Sequence, residues 1–119
     1  MKIALAYSRK FFPAAEEVKK ACEAAGIQAV HAGTPPETAD TPESEQNAVL
    51  RAFKNIDNAD LLYVIAEDGY VGLAVTLEIG YAYAKKKNIV TSETLSDLNV
   101  RALVTQVVPA ENLISFLKK

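Results

Sequence analysis

The sequence predicts an α/β fold: a single doubly wound (Rossmann/flavodoxin-like) domain with a five-stranded parallel sheet. Three observations lead to this class. Short apolar runs of strand length alternate with segments of helical periodicity, the runs are apolar enough to be covered on both faces, and turn or capping residues separate them. We expect the strand order 2-1-3-4-5 with helices on both faces of the sheet, and we assign residues 1–119 to one domain.

The first half of the chain predicts two strands, two helices and one long loop. Pro13 suits the first turn of a helix, and Gly26 suits its end. Thr41 suits an N-cap ahead of Pro42. The predicted elements are a strand at Lys2–Tyr7, a helix over residues 13–26, a strand at Ile27–Gly33, a proline-rich loop at Thr34–Pro42 and a helix that runs to about Asn58.

The second half of the chain predicts the central strand and the remaining elements. Leu61–Glu67 is a nearly continuous apolar run, which is typical of a strand in the middle of a sheet. The loop at residues 68–72 then leads into a third helix, whose lysine run at residues 85–87 suits a helix C-terminus. The remaining predicted elements are a strand at residues 88–92, a helix at 95–104, a brief strand at 106–109 and a closing amphipathic helix at 110–119.

The composition argues against several classes of function. A net charge of −2 and a pI near 5.4 do not favour electrostatic binding to a nucleic acid polymer or to an anionic membrane. No apolar run reaches the roughly 18–20 residues that a membrane-spanning helix needs. The single cysteine, Cys22, allows no internal disulfide, and the N-terminus reads directly as a strand rather than as a signal peptide. We therefore expect a cytoplasmic domain.

One acid, Glu78, stands in a stretch of the third helix that is otherwise apolar or small. In a doubly wound sheet the ligand crevice lies beyond the carboxyl ends of the strands, so the loops after strands one and three should border it. Glu78 lies one to two turns into the helix that follows the second of these loops, and its side chain should lean back toward the crevice. The helix dipole there favours an ionised carboxylate.

The residues around Glu78 leave two interpretations open. Gly69, Gly72 and Ala74 are small positions at which a ligand can approach the backbone closely. Tyr81 follows Glu78 by three residues on the same helix face and is placed to donate a hydrogen bond to its carboxylate. Glu78 is then either a partly buried acid paired for stability, or a carboxylate that attacks or supports a cationic carbon.

The middle third of the chain contains NADLLYVIAEDG followed by LEIGYAYAKKKNIV. The parts of this pattern are Ala59-Asp60 at the end of the second helix, an apolar strand, the Asp68-Gly69 loop and the stretch E-I-G-Y-A that starts at Glu78. The pattern resembles the nucleoside 2-deoxyribosyltransferase superfamily. That group includes transferases that exchange bases on deoxyribose and the related nucleoside 5′-monophosphate N-glycosidases.

The resemblance implies a reaction at the N-glycosidic bond of a nucleoside or nucleotide. Glu78 would attack the anomeric carbon, expel the base and form a glycosyl-enzyme that water or a second base resolves. Tyr7, Ser8 and Arg9 follow the first strand, where the monophosphate hydrolases hold a phosphate-binding loop of Ser-Ile-Arg type, so this loop would bind a 5′-phosphate unless it is only a solvated basic turn. Asp68 would accept a hydrogen bond from the sugar or base, or serve as a turn residue. The resemblance implies no cofactor and no metal.

Two positions depart from the pattern of the superfamily. Its members commonly carry an acid eight residues before Asp60, where this chain has Ala52, and many carry an acid or serine at the position of Gly72. These departures motivate an alternative function, a nucleotide-binding or sensing domain that keeps the pocket and has lost the chemistry. His31, the only histidine, is interpreted as a capping or packing residue rather than a catalytic one.

We also expect a homo-oligomer, most simply a dimer. The third helix is rich in alanine and contains Gly80, and a glycine inside a helix indicates that the helix packs tightly on something. Members of the superfamily usually complete their pocket between subunits, so the third helix is the candidate interface. The expected partners are therefore a small nucleoside or nucleotide and a second copy of the chain.

Overall fold

The computed structural model describes residues 1–32 and 41–119, which form a five-stranded parallel sheet in the order β2-β1-β3-β4-β5. Both the strand order and the parallel pairing predicted from the sequence are confirmed. The elements are β1 (Lys2–Tyr7), α1 (Phe12–Ala24), β2 (Gln28–His31), α2 (Pro42–Asp57), β3 (Leu61–Ile65), α3 (Leu73–Ala84), β4 (Asn88–Thr91), α4 (Leu98–Arg101), β5 (Gln106–Val107) and α5 (Leu113–Leu117). The end of the second strand at Gly33 and most of the loop expected at Thr34–Pro42 lie outside the described residues.

Helices cover the sheet on both faces, as predicted. Along each strand the side chains alternate between two apolar clusters, because successive residues of a strand point to opposite faces. Ala4 and Ala6 of β1 face the cluster that α2, α3 and α4 complete, whereas Ile3 and Leu5 face the cluster that α1 and α5 complete. The strands are therefore buried on both sides, which explains their continuous apolar sequences.

The local signals at the ends of the first two helices act as predicted. The Thr41 hydroxyl accepts a hydrogen bond from the Ser44 N–H, and the Ser44 hydroxyl in turn accepts one from the Thr41 N–H. Pro13 lies in the first turn of α1, and Gly26 follows its end with a φ of 80°, a conformation that favours glycine. Asp60 of the A-D pair has a structural role: its carboxylate accepts a hydrogen bond from the Lys2 N–H at 2.8 Å, beside the start of β1.

Two expectations about the later helices differ from the structure. The helix predicted at 95–104 is confined to Leu98–Arg101, because Leu95 is buried in the core ahead of it and Asp97 caps its first turn. The closing helix is divided into a 3-10 turn and α5. A Cβ built on Gly80 would meet no described atom within 4 Å, so tight packing of α3 at this position stays a prediction for a contact with a second copy. No helix in the described part of the chain is long and apolar enough to cross a membrane.

Candidate active site

A cleft of about 390 Å³ lies at the carboxyl end of the sheet. It is at the switch point of the strand order, where β2 lies on one side of β1 and β3 on the other. Tyr7 ends β1 and pairs with Ile65 at the end of β3, so the loops after these two strands border the same space, as the topology predicted. The volume is within the range of roughly 300–1,000 Å³ of small-molecule sites. The lining residues are Tyr7, Ser8, Arg9, Glu45, Ala48, Val49, Tyr70, Gly72, Leu73, Ala74, Val75 and Glu78.

Glu78 is the buried acid of this cleft, with 7% of its surface exposed. No described lysine, arginine or histidine lies within ion-pairing distance of its carboxylate, and no described side chain donates a hydrogen bond to it. Among the described residues, every fully buried side-chain oxygen or nitrogen has a hydrogen-bond partner. The unbonded oxygens of Glu78 therefore keep access to the cleft rather than being sealed in the core.

Burial raises the pKa of the Glu78 carboxyl from 4.5 to about 8. This result differs from the expectation that the helix dipole keeps the group ionised. The dipole acts mainly within the first turn, and Glu78 is the sixth residue of α3. Because no described cation offsets desolvation, the Glu78 carboxyl, with a pKa of about 8, is mostly protonated at pH 7.

The start of α3 forms one wall of the cleft beside the loop after β1. Gly72 is the N-cap and, having no side chain, makes no side-chain cap for the first N–H groups of the helix. A Cβ on Gly72 would lie 3.6 Å from the Ser8 hydroxyl and 3.7 Å from the Tyr70 hydroxyl. Two hydroxyls and an uncapped helix N-terminus therefore converge at this wall.

Arg9 and Glu45, which both line the cleft, form an ion pair. Arg9 Nη2 lies 3.1 Å from Glu45 Oε1, and both side chains remain nearly half exposed. A pair that is this exposed contributes little to stability, about 0–1 kcal/mol. The guanidinium can therefore exchange its partner at small cost when an anion enters.

Tyr70 and Glu45 line the cleft, although the sequence pattern did not predict them there. Tyr70 follows a tight turn in which both Asp68 and Gly69 have positive φ, as in a type I′ turn, and this turn directs Tyr70 to the cleft rim. The Lys10 ammonium lies 4.1 Å from the centre of the Tyr70 ring. A signal for Glu45 was present in the sequence, since it lies seven residues before Ala52, on the same face of α2.

The structure does not bring three of the predicted site residues to the cleft. Tyr81 does not contact Glu78: its hydroxyl donates to the Asp57 carboxylate at 2.8 Å, and its ring stacks on Phe53. Asp68 and Gly69 turn toward the segment after β4, where the Gly69 N–H donates to the Glu93 carboxylate. The local turn and the rotation of α3 direct the three residues to other elements, so the expected Tyr81–Glu78 hydrogen bond is not formed, and the substrate-binding roles of the three residues stay predictions.

Ala52, the position where the superfamily commonly has an acid, is fully buried in the apolar core beneath the cleft. The carboxylate that α2 contributes to the cleft is that of Glu45 instead. Within the described residues, no group of three or more His, Cys, Asp or Glu side chains is placed to hold a metal ion.

His31 makes more contacts than a simple packing residue. Its Nδ1 lies 2.9 Å from the Tyr7 hydroxyl and its Nε2 lies 2.7 Å from Glu16 Oε2. The Asn55 amide donates to its backbone carbonyl at 3.0 Å. His31 therefore contacts Tyr7, which is one of the residues that line the cleft.

The fold and the cleft define a doubly wound α/β domain with a buried carboxyl at the switch point of its sheet, and the described residues supply no cation to pair with it. No protein-family model matches the sequence, and no curated protein sequence matches it. The structural comparisons nevertheless confirm the resemblance seen in the sequence at the level of fold: this chain has the fold of the nucleoside 2-deoxyribosyltransferase superfamily.

Three solved structures illustrate this likeness. A 2-deoxyribosyltransferase from Bacillus psychrosaccharolyticus is 18% identical with a TM-score of 0.70, over 96% of this chain and 90% of that chain. The CMP N-glycosidase BcmB from Clostridium botulinum is 16% identical with a TM-score of 0.65, over 99% and 98%. A conserved protein from Enterococcus faecalis V583 is 17% identical with a TM-score of 0.68, over 99% and 97%.

Proposed function

We propose that this protein cleaves or transfers the N-glycosidic bond of a nucleoside or nucleoside 5′-monophosphate, with Glu78 as the nucleophile. The proposal is based on one observation. The Glu78 carboxyl is buried, has no cationic partner among the described residues, and lies at a cleft large enough for a nucleoside or nucleotide. Burying an acid without a partner is costly, so a purely structural role does not account for it. The deoxyribosyltransferase and CMP N-glycosidase of similar fold support this class of reaction.

The proposed chemistry uses the carboxylate twice. A Glu78 oxygen bonds to the anomeric carbon as the carbon–nitrogen bond breaks, and the base leaves with the electron pair and takes up a proton from solvent water. Water, or an N–H nitrogen of a second base, then attacks the same carbon and releases its proton to solvent as the ester bond to Glu78 breaks, which restores the carboxylate. Positive charge develops on the sugar in both steps, so an anion in a poorly solvated cleft stabilises both transition states.

The raised pKa of Glu78 fits a nucleophile that works best with its substrate bound. The free carboxyl is mostly protonated at pH 7, with a pKa of about 8. As the sugar gains positive charge, Coulomb attraction in a cleft of low dielectric favours the ionised form. The carboxylate is then stabilised more in the transition state than in the empty site, which is what catalysis requires.

A 5′-phosphate is the group that best fits the wall between Ser8 and the start of α3. Arg9 supplies a guanidinium that its exposed pair with Glu45 holds only weakly. The uncapped N-terminus of α3 at Gly72 and the Ser8 hydroxyl supply donors beside it. We therefore favour a nucleoside monophosphate over a free nucleoside, with the half-exposed ring of Tyr70 placed to stack on the base.

We further propose that two copies of the chain associate through the outer face of α3. Leu73 and Leu77 are 88% and 55% exposed there, Gly80 presents open space one turn further on, and Leu98 of the neighbouring α4 is 70% exposed. Exposed apolar side chains grouped in this way are typical of an interface. Leu73 also lines the cleft, so a copy packed on this face would border the site.

Light scattering tests the association. Leu77→Asp should convert a dimer to a monomer at micromolar concentration, because a buried unpaired carboxylate would oppose the contact. Leu50→Asp is the matched control, since Leu50 is 54% exposed on α2. A wild type that is monomeric, or a dimer that Leu77→Asp leaves intact, would contradict the proposed face.

Release of free base tests the reaction itself. The protein is incubated with a panel of ribo- and deoxyribonucleosides and their 5′-monophosphates, and chromatography measures the free base. Glu78→Gln should abolish release, whereas Glu17→Gln, an exposed acid of α1, should leave the rate unchanged. Equal rates for Glu78→Gln and the wild type would remove Glu78 from the mechanism.

The same panel separates the enzyme from the alternative, a nucleotide-binding or sensing domain without activity. Ala52, which lies in the core where the superfamily commonly has an acid, favours that alternative. A rise in melting temperature with a nucleotide, without release of base, would support it. If no nucleotide raises the melting temperature and no base is released, both functions are contradicted.

A further inference from the structure

We propose that Glu45 is a specificity-determining residue of the cleft: its carboxylate, held beside the Arg9 guanidinium, favours a ligand with one phosphate over a ligand with two or three. The inference rests on the proposed function, because it takes Arg9 as the residue that binds the 5′-phosphate. It goes further by giving Glu45 a role and by placing nucleoside di- and triphosphates among the disfavoured ligands.

The start of α2 holds Glu45 in position. Thr41 caps this helix, and reciprocal hydrogen bonds between Thr41 and Ser44 fix its first turn. Glu43 and Glu45 both lie in that turn, where the helix dipole favours negative charge. Of the two, Glu45 lines the cleft, and its Oε1 lies 3.1 Å from Arg9 Nη2. A carboxylate on a capped helix therefore accompanies the guanidinium to which the proposed function assigns the phosphate.

Any anion that binds Arg9 comes close to this carboxylate. A phosphate oxygen that accepts a hydrogen bond from Arg9 Nη2 lies about 2.9 Å from that nitrogen. While the ion pair is kept, this oxygen is no further than about 6 Å from Glu45 Oε1, which lies 3.1 Å from the same nitrogen. That separation is shorter than the Debye length of about 8 Å at physiological ionic strength, so salt screens the repulsion only in part. A phosphate that takes the place of Glu45 has to separate the pair instead, so Glu45 opposes the anion in either case.

The described lining of the cleft has little positive charge to offer a second or third phosphate. Arg9 is the one cation among these lining residues, and Glu45 offsets it. Lys10 is not part of the lining, and its ammonium lies over the Tyr70 ring, 4.1 Å from the ring centre. A single phosphate still gains hydrogen bonds from the guanidinium and from the uncapped N-terminus of α3. Each further phosphate adds negative charge that Glu45 repels.

Binding measurements on variants that differ in charge at position 45 test the proposal. The probes are cytidine and adenosine, each as the nucleoside and as its 5′-mono-, di- and triphosphate, in buffer without divalent cations. The parent protein is Glu78→Gln, which prevents turnover by the proposed mechanism, and calorimetry measures Kd for the parent and for the parent with Glu45→Gln or Glu45→Lys. Glu43→Gln is the matched control, because it removes an acid of the same first turn that does not line the cleft.

Selectivity should follow the charge at position 45. We expect Glu45→Gln to lower Kd about threefold for the monophosphates and roughly tenfold for the triphosphates, with less than about twofold change for the nucleosides. Glu45→Lys should lower the triphosphate Kd by roughly a further tenfold. Glu43→Gln should stay within about twofold of the parent for every probe. At about 1 M salt, where the Debye length is about 3 Å, most of the gain in Glu45→Gln should disappear.

Several results would overturn the proposal. An equal gain for mono-, di- and triphosphates in Glu45→Gln would mean that Glu45 competes for Arg9 without selecting against further phosphates. Weaker binding of the triphosphates in Glu45→Gln or Glu45→Lys would mean that the carboxylate does not repel them. A gain that persists undiminished at about 1 M salt would assign the effect to shape instead of charge.

Failure of this inference differs from failure of the proposed function. If no nucleotide binds the parent protein, both are overturned. If nucleotides bind, and their relative Kd values do not depend on position 45, this inference alone is overturned. Because Kd is measured without turnover, a protein that binds nucleotides but releases no base would leave the selectivity result standing.

Discussion

Replacement of Glu78 by glutamine tests, without any substrate, whether burial controls this carboxyl. The folded chain holds the pKa of Glu78 at about 8 instead of 4.5, whereas the unfolded chain exposes the group to water. At pH values between 4.5 and about 8, the unfolded chain has released the Glu78 proton, whereas the folded chain still holds it. The free energy of unfolding that the protonated group contributes is therefore lost as the pH rises toward 8. Glutamine has no proton to release, so the variant does not share this loss.

The expected magnitude follows from the two pKa values. Relative to its value in acid solution, the free energy of unfolding of the wild type falls through this group by roughly 1 kcal/mol at pH 5, about 3 kcal/mol at pH 7 and about 4 kcal/mol at pH 8. Relative to the wild type, Glu78→Gln should therefore gain about 3 kcal/mol between pH 5 and pH 8, or roughly 10 °C in Tm.

Urea denaturation at the two pH values measures this gain. Glu17→Gln, which removes an exposed acid of α1, is the matched control and should change by less than about 0.5 kcal/mol. If the difference in stability between Glu78→Gln and the wild type is the same at pH 5 and pH 8, the carboxyl is not desolvated as the structure indicates, and the reasoning is refuted.

Three further predictions concern the cleft and its surroundings. For base release, kcat/KM should rise with pH to a plateau with an apparent pKa near 8, because only the ionised Glu78 attacks; a fall above pH 8 would instead assign the protonated carboxyl as a general acid. Arg9→Met should raise KM for a monophosphate about tenfold and change that for the nucleoside less than about twofold. Arg101→Met on α4 is its control, and equal effects on both substrates would argue against a phosphate contact. Tyr81→Phe should cost about 1 kcal/mol of stability and leave KM unchanged, since the hydroxyl bonds Asp57 outside the cleft; a higher KM would return Tyr81 to the site.

The sheet could be predicted from the sequence because its strands are buried on both faces. A run such as Leu61–Ile65 is apolar at every position, and few other structures accommodate such a run between helices. Capping residues fixed the start of α2 in the same way. The extent of α4 could not be predicted, because the apolar residues on both sides of it suit a helix equally well. Leu95 instead packs into the core from an extended segment.

The candidate site could be predicted only where sequence order determines position. The end of β1 and the start of α3 must meet at the switch point, and Tyr7, Ser8, Arg9, Gly72, Ala74 and Glu78 all line the cleft. Tyr81 was misplaced because three residues of helix rotate a side chain by about 60° away from its neighbour, enough to bring it to α2. Glu45 and the bond between His31 and Glu16 depend on how α2 and α1 pack, which periodicity does not reveal.

The central claim is that a Glu78 oxygen forms a bond to the anomeric carbon of the sugar. Its most direct test is mass spectrometry of the protein quenched with acid during turnover, followed by mapping of the modified peptide. The account predicts a sugar or sugar phosphate attached through an ester to Glu78, and no such adduct in Glu78→Gln. Release of free base by both proteins, with no sugar found on Glu78 at any time, would contradict it.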